Sequence, residues 1–218
     1  MTITAPPPLG PAAAEPPDHI VLDGISWDFY ERTLEEAGRS NLRITYDRGT
    51  LEMMTTSFRH EEVKKSIARL LEIYSYETRT RIKGLGQLTF RRKDLMRGLE
   101  PDECYYVHTP PPPKGTRTLN LKVHAPPDLA IEVEVSRTAI PRVPIYGALG
   151  VPEVWRCVEG QIIVLHRQPN GEYATAAGSL AFPDLPMSEF NRFLTMALTV
   201  DQQDAVIAFG DWLRDRHA

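Results

Sequence analysis

Cysteine is nearly absent from this chain: Cys104 and Cys157 are the only two in 218 residues, far apart and without a CxxC pair. That scarcity excludes a disulfide-rich scaffold and gives no zinc or redox signature, so a reduced, cytoplasmic setting is the expectation. Long apolar runs are missing as well. None approaches the roughly 18 residues of a membrane span, so no membrane partner is expected. An excess of positive charge is also missing, with 25 Lys and Arg against 29 Asp and Glu and a net charge of −4. A chain with this balance is not drawn to nucleic acid as a whole, and any such site must be a local basic patch. No basic-then-apolar leader opens the sequence. Its first 18 residues are instead rich in Pro and Ala and read as a disordered arm. The whole chain is 42% hydrophobic and 25% charged, which suits a single globular domain over residues 19–218.

The stretch Asp128-Leu129-Ala130-Ile131-Glu132-Val133-Glu134-Val135 organises the rest. In an extended strand alternate side chains point to opposite faces. Leu129, Ile131, Val133 and Val135 therefore share one face, while Asp128, Ala130, Glu132 and Glu134 share the other. An acidic face buried without partners is costly. Water, basic neighbours or a divalent cation with oxygen ligands can each relieve it.

Ser26 is placed to cap a helix through Ala37 that Gly38 ends. Residues 42–46 and 50–54 flank Asp47-Arg48-Gly49 and read as a β-hairpin. From His60 a long helix carries Val63, Ile67, Leu70, Leu71 and Tyr74 on one stripe. Strands are expected at 87–91, 101–107 and 128–135, with 108–122 a Pro-rich loop or arm. A short helix ends at Gly150, a hairpin turns at Glu159-Gly160, a short strand covers 173–176, and helices at 188–198 and 201–214 close the chain. Strand runs bracketed by helices indicate an α+β or mixed α/β fold.

Between Arg79 and Arg97 lie seven basic residues (Arg79, Arg81, Lys83, Arg91, Arg92, Lys93, Arg97) and one acid, Asp94. They form a candidate phosphate-contacting patch, in which Lys83, Arg91, Arg92, Lys93 and the neighbouring Gln87 are the residues for nucleic acid. A solvated surface strand and loop accounts for them equally. Asp102, directly after Pro101, is expected to meet Glu132 if their strands are neighbours, and two such carboxylates suit Mg²⁺. Trp155 reads as core. Tyr146 reads as a buried aromatic, with contact to the site as the alternative. The Gly84-Leu85-Gly86 run lacks the strand and helix context of a phosphate loop.

Several pieces, in order, are similar to one known family: Gly49-Thr50-Leu51-Glu52-Met53-Met54, His60-Glu61, Gly84-Leu85-Gly86 with Thr89-Phe90-Arg91-Arg92, Glu100-Pro101-Asp102-Glu103-Cys104-Tyr105-Tyr106, Pro127-Asp128-Leu129-Ala130-Ile131-Glu132-Val133, and Tyr146 with Gly150-Val151-Pro152-Glu153-Val154-Trp155. Over about residues 20 to 210 the chain resembles the Uma-type (Uma-two) restriction-endonuclease-like family, a branch of the PD-(D/E)XK nuclease superfamily. The resemblance implies a mixed sheet flanked by helices, with an added N-terminal helix and hairpin. It implies endonucleolytic hydrolysis of DNA with Mg²⁺ or Mn²⁺ bound by Asp102 and Glu132, and action as a homodimer. Glu61 would assist from the long helix, although a Glu at a helix N-terminus also needs no more than the dipole to explain it.

One position departs from the pattern. Two residues after Glu132 the superfamily has Lys, where this chain has Glu134, and the matching basic residue is Arg142. Arg keeps its proton, so it can hold a phosphate but cannot serve as general base. Proton removal would fall to solvent or to Glu134, unless Arg142 merely neutralises Glu134. Two rivals stay open: a catalytically weak or inactive nuclease-fold protein that binds nucleic acid, and a carboxylate-pair hydrolase of another substrate whose activity survives chelation.

Overall fold

The computed structural model describes residues 19–38, 42–116, 118–135 and 138–217. The arm expected over residues 1–18 lies outside the described residues. Local signals account for most element ends. Strand β1 (His19–Leu22) is followed by α1 (Trp27–Ala37), where the Ser26 side chain accepts from the Phe29 N–H at 3.2 Å and Gly38 closes the helix at φ 56°. Strands β2 (Leu42–Asp47) and β3 (Thr50–Thr55) turn through Arg48 and Gly49, both at positive φ. Helix α2 (Phe58–Thr78) is capped by Ser57. Short strands β4 (Lys83–Gly84), β5 (Thr89–Arg92), β6 (Arg97–Leu99), β7 (Glu103–Tyr106) and β8 (Thr118–Asn120) follow. The acidic strand is β9 (Leu129–Glu134), and α3 (Val143–Leu149) carries Pro144 in its first turn and ends at Gly150, φ 82°. Strands β10 (Glu153–Val158), β11 (Gln161–Arg167) and β12 (Tyr173–Ala176) precede α4 (Met187–Thr199) and α5 (Gln202–His217).

The fold is α+β, as expected, but the strands make two sheets. One runs β1-β3-β2-β6-β5-β8 and the other β12-β11-β10-β9-β7-β4. The hairpin β2–β3, expected as an addition to one sheet, belongs to the first of these through β2–β6 pairing. The loop expected over 108–122 contains β8, parallel to β5. Both differences come from long-range pairing, which leaves no local trace in three- or four-residue strands.

Layers follow from strand alternation. Leu129, Ile131 and Val133 pack with Ile67, Leu71, Trp155, Phe190 and Phe209 under α2, α4 and α5. Ala130, Cys104 and Tyr106 face the other way, packing with Phe90, Leu99, Leu119 and the α3 residues Ile145 and Leu149. In β2, Ile44 and Tyr46 pack with Trp27 and Tyr30 of α1. Arg43 and Thr45, on the opposite face of β2, are thereby turned toward the second sheet. Both faces of β9 are buried, so Glu132 has no route to water. Cys104 and Cys157 are free and buried, and burial pushes each thiol up to about 12, which leaves both as inert packing groups. No helix among the described residues is long and apolar enough to cross a membrane.

Candidate active site

Register brings the two expected acids together. Glu103 pairs with Ile131 and Cys104 with Ala130, so the antiparallel ladder continues to Asp102 beside Glu132. Two backbone bonds lock this end: the Asp102 N–H donates to Ile131 O at 3.1 Å, and Asp102 Oδ2 accepts from the Val133 N–H at 2.7 Å. Asp102 is fully buried and Glu132 only 3% exposed. Of the three ways to relieve a buried acidic face, the fold uses basic neighbours.

Arg142, at the N-terminus of α3, grips Glu132 with both arms. Its Nε donates to Oε2 at 2.8 Å and its Nη2 to Oε1 at 2.9 Å, while Thr45 Oγ1 and Glu100 O take further donors. Burial works against the Arg142 charge, but Glu132 and Tyr146 outweigh it and raise its pKa above the ordinary arginine value. The Tyr146 hydroxyl, one turn along α3, donates to Glu132 Oε1. Burial, reinforced by the Glu132 carboxylate, drives that phenol well above its usual pKa, so it remains a donor. Tyr146 is thus both a buried aromatic and a site residue.

A second guanidinium, absent from the sequence-based expectation, joins from the other sheet. Arg43 Nη1 lies 3.0 Å from Asp102 Oδ1, and its Nη2 lies 3.1 Å from Glu132 Oε2. His60 Nε2 stands 2.9 Å from the same Asp102 oxygen, and His60 Nδ1 3.3 Å from Glu61 Oε1. Oδ1 nevertheless has no hydrogen bond of good geometry among the described residues, and neither has Arg43 Nε. Another residue missed at the sequence level is Glu52, 1% exposed in β3. It accepts from the N–H groups of Ala139 at 2.7 Å and Ile140 at 3.3 Å, and so holds the segment leading into Arg142. The sequence signal for Arg43 and Thr45 is their alternation with apolar neighbours, which does not tell a buried face from a wet one, and Glu52 lies in one of the pieces that carry the resemblance.

The remaining expected residues lie apart. Glu61 is half-exposed, 2.5 Å from Lys64 Nζ, and reaches the cluster only through His60. Burial raises its carboxyl pKa, but Lys64 outweighs this and leaves it below the ordinary value. Glu134 does not pair with Arg142; Arg156 binds it bidentately at 2.5 and 2.7 Å near the surface. Asp128 binds the backbone N–H groups of Val107, His108 and Thr109, away from the acids. The expected basic patch is divided. Lys83 is on the edge strand β4 of one sheet, whereas Arg91, Arg92 and Lys93 lie on or beside β5 of the other. Arg91 pairs with Glu31 at 3.0 Å, Arg92 with Asp94 at 2.7 Å and Lys93 with Asp28 at 3.4 Å. Gln87, expected in a strand entering the site, sits exposed at a bend before β5. A strand cannot run through there because Gly86 takes φ 57°.

Acid should unlock the cluster. Burial pushes the Asp102 carboxyl up, but Arg43 and His60 outweigh it and hold it below its ordinary 3.8. A carboxyl lowered in the fold contributes stability that is complete above the ordinary value and fades as pH falls through the folded one. Thermal midpoints should therefore drop with acid below about pH 4 more steeply in the wild type than in Asp102→Asn. Parallel acid limbs for the two proteins would refute this assignment.

The Uma2 family, described as "Putative restriction endonuclease", matches residues 27–199. Among solved structures, a chain described as "a putative nuclease belonging to DUF820" from Anabaena variabilis ATCC 29413 is similar at 15% identity and a TM-score of 0.47. That similarity covers 69% of this chain and 90% of the other. No match was found among curated proteins.

Proposed function

The chain belongs to the Uma2 family, and from that premise we propose that it is an endonuclease acting on DNA, with the buried Asp102–Glu132 pair as its acidic centre. The observation that carries this reading is convergence. Residues from β9, from the residue before β7 and from α3, far apart in sequence, meet on one face, and Arg142 and Tyr146 both bind Glu132. Guanidinium forks suit phosphate as well as carboxylate oxygens, so Arg142 and Arg43 are the groups to receive a phosphodiester.

The divalent cation implied by the family resemblance does not fit these residues as they stand. Both Glu132 oxygens accept hydrogen bonds, and Asp102 Oδ2 is taken by the Val133 N–H. Among the described residues no group of three or more His, Cys, Asp or Glu side chains forms a ligand set. The cluster is also nearly closed to solvent, with Arg43 3%, His60 5% and Arg142 7% exposed. These facts favour a second reading, a nuclease-fold protein that retains nucleic acid with little or no turnover.

Supercoiled and single-stranded DNA incubated with Mg²⁺, Mn²⁺ or EDTA separates the two readings. Endonuclease action predicts metal-dependent nicking by the wild type that Asp102→Asn and Glu132→Gln both abolish, each variant checked for folding by circular dichroism. DNA retention without nicking in any metal selects the second reading. Nicking untouched by either substitution would mean that the centre lies elsewhere.

A further inference from the structure

The two acids bracket a cation that the protein itself supplies. One Arg43 guanidinium spans both carboxylates, with Nη1 on Asp102 Oδ1 at 3.0 Å and Nη2 on Glu132 Oε2 at 3.1 Å. Asp102 and Glu132 are the residues that would hold a metal on the family's pattern, and Arg43 already pairs with both. Resting on the reading of this pair as the family's acidic centre, we propose that Arg43 is a built-in counter-ion that closes the pair to divalent cations, and that an ion enters only when Arg43 leaves.

Charge and space both lead here. Two carboxylates are matched by two guanidiniums, and His60 beside Asp102 adds no negative charge, in a cluster whose members are at most 7% exposed. Bringing a doubly charged, hydrated ion into such a buried cluster means stripping its water without gaining net attraction. Mg²⁺ also holds its oxygen ligands at about 2.0–2.1 Å. With the guanidinium nitrogens 3.0 and 3.1 Å from the same two oxygens, no room remains between them.

The two arginines are not held equally. Arg142 places Nε, Nη1 and Nη2 on Glu132, Thr45 and Glu100. Arg43 keeps one bond of ordinary length, Nη2 to Glu132 Oε2 at 3.1 Å. Its buried Nε has no partner among the described residues, its contacts to Glu100 O and His60 Nε2 are a long 3.3 and 3.4 Å, and it meets Asp102 only as an ion pair. Arg43 is therefore the cation that can be displaced, and Arg142 the one that stays. Its strand belongs to the other sheet, so its departure need not disturb the Asp102–β9 backbone bonds.

Mn²⁺ binding to the EDTA-stripped full chain, followed by electron paramagnetic resonance, tests this directly. Arg43→Gln should bind one Mn²⁺ at least about tenfold more tightly than the wild type, and Arg43→Gln/Asp102→Asn should lose that gain. One-to-one Mn²⁺ uptake by the wild type that Asp102→Asn removes would overturn the proposal, as would a folded Arg43→Gln that binds no better than the wild type. If Arg43→Gln is unfolded in EDTA, recovery of its near-ultraviolet circular dichroism on adding Mn²⁺ supports the proposal, and no recovery overturns it. The endonuclease reading is judged separately, by nicking. Tight Mn²⁺ binding by Arg43→Gln with no nicking by any form keeps the counter-ion and removes the endonuclease. Nicking by a wild type that binds no Mn²⁺ when free supports both, with ion and DNA entering together.

Discussion

Arg142→Met is expected to lower the stability of the fold by about 3–5 kcal/mol, the usual loss when one partner of a buried ion pair is removed. Methionine fills much of the space but leaves Glu132 with a single guanidinium and the Tyr146 hydroxyl. Thr45 Oγ1 loses its Arg142 donor at the same time, and Glu100 O is left with the 3.3 Å bond from Arg43. The companion variant Arg142→Met/Glu132→Leu should recover most of the loss, because a buried pair replaced by apolar groups of similar volume is often neutral or stabilising. Asp102 and Arg43 still face each other in that double variant. Urea denaturation with a common m-value measures both. A loss for Arg142→Met below about 1 kcal/mol, the range of an exposed pair, would show that Glu132 reaches water. The double variant also separates stability from chemistry, since it should fold well and neither nick DNA nor bind metal.

Trp155→Ala should do comparable damage from the opposite face of the sheet, about 3–5 kcal/mol. Trp155 is fully buried, lies beside Ile131 in the β9–β10 ladder, and packs edge-on against Phe182 and Phe190. Removing it opens a cavity behind the strand that carries Glu132. Its Nε1 also donates at 2.5 Å to Glu153, a fully buried carboxylate that in addition binds the N–H groups of Leu180 and Ala181. Trp155→Phe isolates that bond and should lose about 1–3 kcal/mol, the penalty for a buried polar group short of one partner. If Trp155→Phe and Trp155→Ala are equally destabilised, the bond rather than the packing dominates here. Circular dichroism follows guanidinium unfolding of both variants on the same footing as the wild type, because each variant loses one of the three tryptophans that contribute to the fluorescence.

Much of the site was legible in the chain. Glu132 stood out because acids alternating with Leu129, Ile131 and Val133 make a strand with one problematic face. Asp102 followed from its place after Pro101 and ahead of a second strand, and the observed ladder continues to the pairing that the expectation needed. Arg142 came from the family resemblance, Tyr146 read first as a buried aromatic with contact to the site as the alternative, and both bind Glu132. Glu134 was misjudged because position on a face does not give depth: it shares the face of Glu132 but lies at the strand's open end, where Arg156 meets it. The basic segment stayed open between a phosphate-contacting patch and a solvated surface, because charge clustered in sequence is not charge clustered in space. Acids from α1 reach Arg91 and Lys93 across about sixty residues of chain.

The sequence by itself determined the longer elements and their faces. The helix cap at Ser26, positive-φ turns at Gly49 and Gly160, and two-residue alternation in β2 and β9 are all local, and backbone sterics read them within a few residues. Only the tertiary structure decided that the strands form two sheets, and that the polar face of β2 meets the acidic face of β9. An Arg on a strand is ordinarily a surface residue. Arg43 is buried because α1 covers the other side of its strand and the second sheet covers this one, and neither covering is encoded near position 43. The cation between the two acids is thus a property of how the sheets are stacked.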